Sequence, residues 1–523
     1  MKKRNLKLIA LALIVLTAFS VVGCGGCDWS MFDALFEIQP EVPSGEWDST
    51  DDTTLVTAKR TETDRQSFVP IIDYKPVDFE GAKLVILLPE DNDISREFYM
   101  DVPEDELDEA VGMRNAATEE ALNVVIEYER VPIDRANREN HRAILYDMIA
   151  KDFTSELHSY DISVNYAYAT VGMAQRGYAA NLLDQSIFPY FDFDLPCWNA
   201  NFIDITSDSN GERMYYVLGD MQISYYNSAV VTWYNKTLYD NSRDKLDYES
   251  LYDMAMEGQW TYEEMYRMVT SMYGEKDGAK PLLINESCAD IAKLALPISW
   301  GVDFIMKDAA QDHSFNIAGN TKAEDSLSKV RALFDAEGTV YGNEVNFANG
   351  EALFFIDQFD ANYDRNMVIR EMEDKYGLLP LPKYDAASDY ETFVGDTYNL
   401  ISVINYGGGK DVKGGAVSAW LELATEDSFT GVRGYYFNRV VKPKFFGTDD
   451  SQGTVTDSVA MFDLIVNNIK FDRASVYSDQ LGGINSLWCD AVDDEDGRTL
   501  EEIYEERREQ LDEALKSFNG FYE

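Results

Sequence analysis

Histidine is nearly missing from this chain of 523 residues: there are three, His141, His158 and His313, far apart in sequence. That scarcity argues against histidine-based metal sites and against a Ser-His-Asp nucleophile. Cysteine is scarce too, and the spacings of Cys27, Cys197, Cys288 and Cys489 match neither a zinc ribbon nor a disulfide framework. The last three read as mostly buried apolar side chains. Positive charge is also short. Against 94 Asp and Glu stand 45 Lys and Arg, a formal net charge of −49. Such a chain is repelled by nucleic acid and by anionic lipid head groups, so neither is expected as a partner. A neutral or cationic ligand fits it better than an anion.

Two motifs that suggest a bound ion or nucleotide fail on inspection. The acidic run Asp493-Asp494-Glu495-Asp496-Gly497 puts Val492 at the first ligand position of a calcium loop and Ile503 at the last. Gly407-Gly408-Gly409-Lys410 lacks the Ser/Thr and the preceding Gly of a phosphate loop. No metal and no cofactor is expected.

What is present begins at the N-terminus. MKKRNLK is a basic segment, Leu8 to Val22 an apolar one, and Val21-Val22-Gly23 leads into Cys24. A secretory signal ends this way. The pattern resembles the lipobox of bacterial lipoproteins, which implies cleavage before Cys24 and lipidation of that residue, anchoring the chain outside the plasma membrane. Cys27 is the alternative lipidated residue. Losing the leader removes four positive charges and leaves −53. The stretch from Asp28 to about Val77 is rich in Ser, Thr, Asp, Glu and Pro after a short apolar patch (Met31 to Ile38), and reads as a tether that cannot fold alone.

The remaining length exceeds one hydrophobic core and predicts two or more domains. Aromatic residues make up 13% of the chain, with 32 Tyr and 27 Phe, more than a core requires. Flat rings match the apolar faces of pyranoses, so this surplus suits a sugar-binding surface; simple surface coverage by Tyr is the competing explanation. Strands are expected at Leu84–Leu88, Asn123–Val131 and Tyr160–Val164, with helices over Glu104–Leu122 and Arg138–Asp152 between them. This βαβ alternation predicts a mainly parallel sheet, with ligands beyond the carboxyl ends of its strands. Asn165, Tyr166 and Tyr168 fall at such an end.

The stretch MYYVLGDMQISYYNSAVVTWYNKTLYD, Met214 to Asp240, organises the rest. It reads as a strand to Leu218, a turn at Gly219-Asp220, and a longer strand from Ile223 to Tyr234. The chain is expected to leave one sheet here and enter another; a single hairpin is the other reading. A second Gly-Asp pair, Gly395-Asp396, precedes a strand over Tyr398–Val403 and suggests a second crossing. Thr261 and Glu264 mark a helix start, and Thr499 with Glu502 forms a capping box for a terminal helix.

WYNKTLYD, GQWTYEEMYRM, FANGEALFFIDQF and YGLLPLPKYD followed by FVGDTYNLISV occur in this order, with Ile484-Asn485-Ser486-Leu487-Trp488 before the terminal helix. From Gly81 to Glu523 the order resembles the extracellular solute-binding proteins of carbohydrate ABC importers, the maltose-binding-protein-like group. The resemblance implies an α/β fold of the two-lobe periplasmic-binding-protein type II kind, with discontinuous lobes joined by crossing strands. The segments would be 1–23 signal peptide, 24–77 tether, 78–212 with 395–440 one lobe, and 213–394 with 441–523 the other. It implies a monomeric, non-enzymatic receptor that takes a carbohydrate between its lobes and passes it to a membrane permease. It also puts rings at Phe359 and Trp488 against the sugar, Phe359 standing where the group usually has Trp. Asp357, Gln358, Asp220, Asp396, Asn165 and Tyr168 are the expected polar and aromatic partners of hydroxyl groups. A secreted glycoside hydrolase with paired carboxylates is the alternative, although no catalytic pair stands out.

Overall fold

The computed structural model describes residues 77–523 except 135–136, 209, 247–249, 272–279, 308–311, 360–367, 407–412, 439–440, 443–453 and 523. The expected signal peptide, Cys24, Cys27, the tether up to residue 76 and the Gly407–Lys410 loop lie outside the described residues.

β1 (Ala82–Pro89), α1 (Glu106–Leu122), β2 (Val124–Val131), α2 (Arg138–Ser155) and β3 (Ile162–Tyr166) follow in the predicted order. Local chemistry sets their ends. Asp105 caps α1 by accepting from the N–H groups of Leu107 and Asp108, and Asn123 ends it in the left-handed region at φ 48°. β1 pairs parallel with both β2 and β3. Its alternate residues serve different layers: Leu84, Ile86 and Leu88 share a core with Trp420, while Leu87 joins Leu145 and Ile149 of α2. A strand apolar on both faces is what a helix-covered parallel sheet needs.

The second sheet contains β4 (Val230–Asn235), β5 (Lys280–Asn285), β6 (Thr339–Gly342), β7 (Ala352–Gln358) and β8 (Tyr376–Leu379), in spatial order β8-β4-β7-β5-β6. All seven residues of β7 are buried. Between β5 and β6 lie the helices α3 (Ala289–Ser299) and α4 (Thr321–Phe334). The prolines after β8 have a visible use. Trp260 donates its indole N–H to the Pro380 carbonyl at 2.9 Å and Trp300 donates to Pro382 at 2.8 Å, which satisfies two indoles buried in the core.

The chain then returns to the first sheet as β9 (Asn399–Val403), antiparallel to β3, giving the order β9-β3-β1-β2. The sheet is thus mainly parallel, as the strand–helix alternation predicts, with one antiparallel edge strand. After it, α5 (Gly414–Asp427) packs on α1. The chain ends with α6 (Thr454–Asn467), α7 (Ile484–Val492) and α8 (Leu500–Tyr522). The expected capping box is present: Thr499 N donates to Glu502 Oε2 at 2.9 Å and Glu502 N to Thr499 Oγ1 at 3.2 Å.

Both crossings are visible in the pairing. Val217 bridges Ile401 of the first sheet, while Val230 opposes Gln358 of the second. On the return, Val394 bridges Ala229 before Asn399 pairs with Tyr166. Two local expectations need correction. Met214–Leu218 is not a strand beyond the Val217 bridge, and Ser224–Asn227 is one helical turn where an extended strand was predicted. The cause is a buried carboxylate. Glu97 accepts from Ser224 N at 2.7 Å and from Ser224 Oγ at 3.0 Å, so the backbone there bonds to a side chain in place of a neighbouring strand.

Candidate functional site

A cleft of about 350 Å³ opens where the two sheets face each other across the crossings. Its walls come from several separate parts of the chain. α2 contributes Arg138 and Arg142, one helical turn apart, and the helical turns directly after β3 contribute Ala167, Tyr168 and Val171. Opposite them, beyond the end of β5, lie Ser287, Cys288 and Asp290 with Ile291 and Leu294 of α3. Phe393, Val394, Gly395, Asp396 and Tyr398 of the second crossing line it as well. Ser475, Val476, Ser478, Asp479 and Gln480, with Asn485, Ser486 and Cys489 of α7, complete it. Both contributing strand ends are carboxyl ends, where parallel β-structure leaves room for a ligand.

Tyr168 is the main ring of the cleft and is held from three sides. It stacks on Tyr166 at 5.3 Å, shares a 2.8 Å hydrogen bond through its Oη with His141 Nδ1, and lies 4.6 Å from the Arg138 guanidinium carbon. Burial lowers the His141 pKa, with the Asn165 amide acting the other way, which favours the uncharged imidazole beside Tyr168. The arginines are themselves paired. Arg138 Nη1 meets Asp396 Oδ2 at 2.5 Å, and Arg142 bonds to Asp479. Asp290 binds Lys293 at 3.0 Å.

Of the expected site residues, Tyr168 and Asp396 line the cleft. Asn165, Asp357 and Gln358 stand one layer behind it. Asn165 is fully buried at the end of β3. Asp357 takes Asn285 Nδ2 at 2.6 Å and the Cys288 thiol at 3.3 Å, so it braces a wall residue. Gln358 donates to Thr397 Oγ1 at 3.1 Å, beside Asp396.

Three expectations do not match the geometry. Asp220 is 3% exposed and lies outside the cleft lining, gripped by Arg433 through both carboxylate oxygens at 3.1 Å and by the Tyr226 hydroxyl at 2.9 Å. Phe359 is 1% exposed, stacked on Trp233 at 5.7 Å and packed on Phe462. Trp488 is fully buried, 5.2 Å from Phe304, with its indole N–H donated to the Lys293 carbonyl at 3.0 Å. On α7 the residues beside Trp488 in space reach the cleft, while Trp488 points into the helix packing with α3. A large indole gains more from full burial than from a half-open wall.

Arg138, Arg142, Asp479 and Asn485 were missed. The available signal was Arg138 and Arg142 at i, i+4 in a chain short of basic residues. Cys288, read as buried, is partly exposed in the wall, whereas Cys197 and Cys489 are buried.

The crossings are tied together behind the cleft. Besides Ser224 of the first crossing, Glu97 accepts Asn399 Nδ2 of the second at 2.5 Å, and Ser224 Oγ accepts Asn399 N at 3.0 Å. Burial pushes the Glu97 carboxyl up to about 7, against these bonds, which favour its charge. Among the described residues no group of three or more His, Cys, Asp or Glu is placed to hold a metal ion.

No protein-family model matches the chain, and no curated protein matches it. Solved structures do. The sugar-binding protein MalE from Xanthomonas citri superposes with a TM-score of 0.54 at 12% identity, covering 84% of this chain and 99% of that one. The cyclic alpha-maltosyl-1,6-maltose binding protein from Arthrobacter globiformis gives 0.52 at 12% identity, with coverage of 84% and 99%. The galacto-N-biose-/lacto-N-biose I-binding protein of the ABC transporter from Bifidobacterium longum gives 0.52 at 10%, with 84% and 98%. With its two mixed sheets, double crossing and cleft, this chain has the two-lobe α/β fold of the maltose-binding-protein-like solute-binding proteins.

Proposed function

We propose that this chain is a substrate-binding lipoprotein, lipidated at Cys24, that captures a sugar or oligosaccharide between its lobes and delivers it as a monomer to an ABC importer. The observation that carries the reading is the cleft at the double crossing, with a fixed ring, Tyr168, flanked by arginine–carboxylate pairs. Ring faces take the C–H patches of a pyranose, and guanidinium and carboxylate groups take adjacent hydroxyls in pairs. The lobe division 78–212 with 395–440 against 213–394 with 441–523 is consistent with α5 packing on α1 and with α7 packing on α3. No described helix is long and apolar enough to cross a membrane; the proposed membrane tie is the lipid at Cys24, which rests on the Val21-Val22-Gly23-Cys24 pattern. Closure of the two lobes on the ligand would present both to the permease.

The hydrolase alternative needs one carboxyl poised as a proton donor. Asp290, Asp396 and Asp479 are each ion-paired instead, the state of a binding group. Incubation of the purified protein with a glycan panel tests both readings. The receptor gives a thermal shift with at least one glycan and returns it uncleaved; cleavage products, or no shift with any glycan, would overturn it.

A further inference from the structure

Next to the cleft lies a second groove of about 450 Å³, and the two share a wall made of Arg142, Asp479 and Gln480. The far side of this wall is lined by Glu139, Ala143, Tyr146, Gln175 and Arg176. It is a built surface. Tyr146 donates its hydroxyl to the Ala169 carbonyl at 2.7 Å, beside the Tyr168 that faces the cleft, and the Arg176 guanidinium lies 4.4 Å from the Tyr146 ring centre. We propose that the Arg142–Asp479 pair is a gate between the cleft and an outer glycan subsite, so that the ligand is a neutral oligosaccharide longer than the cleft alone can hold. This rests on the carbohydrate reading above and deepens it.

Three observations support the proposal. The cleft is small for a drug-sized or larger ligand, near the bottom of the roughly 300–1,000 Å³ range of ligand pockets, and the two volumes together remain within that range. The gate is weak: the Asp479 side chain is 55% exposed and that of Arg142 26%, and ion pairs that wet stabilise little. A ligand that replaces their mutual contact with hydroxyl contacts therefore opens it at small cost. Finally, Glu139 and Asp479 balance Arg142 and Arg176 around the groove, which favours a neutral glycan over an ionic one.

Two experiments test this. Ala143 is exposed on the outer groove and absent from the cleft lining, so Ala143→Trp fills the subsite alone. With a ladder of neutral linear glycans from disaccharide to pentasaccharide, calorimetry should show affinity rising with length in the parent protein. In Ala143→Trp the longest members should lose tenfold or more while disaccharides stay within twofold. Equal effects at every length, or none, overturn the subsite. The second experiment needs no glycan: Cys288 in the cleft wall is labelled with a bulky maleimide and read by mass spectrometry. Asp479→Asn should speed labelling severalfold, and adding Ala143→Trp should reverse the gain. An unchanged rate overturns the gate whichever glycans bind. A faster rate without binding of any glycan leaves the passage open but overturns its ligand class, together with the carbohydrate reading.

Discussion

Gly219-Asp220 and Gly395-Asp396 are the same dipeptide, one in each crossing, and they end in opposite surroundings. Asp220 is sealed in the core between Arg433 and Tyr226. Asp396 stands at the cleft surface, its side chain 36% exposed, against an Arg138 that is itself 44% exposed. One pair is a structural clamp and the other is available to a ligand. The difference lies in what packs over each. The helical turn at Arg433–Tyr435 covers the first crossing, while the second faces the open side of α2. A carboxylate at a seam therefore reaches the cleft only where the elements packed around it leave room for solvent.

Asp220→Ala tests this contrast with the largest expected effect. It strands a mostly buried guanidinium: burial disfavours the Arg433 charge, and Asp220 more than offsets that, raising its pKa. Loss of one partner from a buried pair costs about 3–5 kcal/mol, to be read by urea denaturation. A loss under about 1 kcal/mol would mean that the clamp does not hold the first crossing.

Trp488→Ala and Tyr168→Ala divide ring from ring in the same way. Trp488→Ala should cost about 3–5 kcal/mol of stability, the cost of a core cavity, with little change in the affinity of the remaining folded protein. Tyr168→Ala should weaken the best glycan by about 1–2 kcal/mol and lower stability less, because its ring is half-buried. If the indole change weakens binding more than the phenol change, the assignment of core and cleft is reversed.

Glu97 joins both seams, so pH should act on them together. Its carboxyl is raised from 4.5 to about 7 in the fold by burial, so between these values the folded state binds a proton that the unfolded state has lost. Stability should therefore fall as pH rises from about 4.5 to about 7, and Glu97→Gln should flatten that slope in pH-dependent denaturation. An unchanged slope would remove Glu97 as its source. The smallest effect belongs to Asp396→Asn. As a partner in a half-exposed pair it should change stability by less than about 1 kcal/mol, while binding of the best glycan weakens measurably.

Much of the fold was legible. The strand–helix alternation from β1 to β3, the passage of Met214–Asn235 between two sheets, and the capping box at Thr499 all follow from local patterns of apolar spacing and short polar contacts. The lining of the cleft was legible in part. Tyr168 and Asp396 follow a strand end and a seam, positions that chain order reveals. Phe359 and Trp488 were misplaced because an aromatic after an apolar segment looks the same whether its ring meets solvent or a neighbouring helix. Arg142 and Asp479, distant in sequence, gave no joint signal.

The amino-acid order by itself determined most of the elements, their succession and the two crossings, because hydrogen bonding and apolar periodicity act mostly within a few residues; the turn at Ser224–Asn227 needed Glu97, far off in sequence. Which side chains face the cleft was decided only when α2, α3 and α7 packed around the crossings. Exposure is a property of the space between elements, and no single segment encodes it.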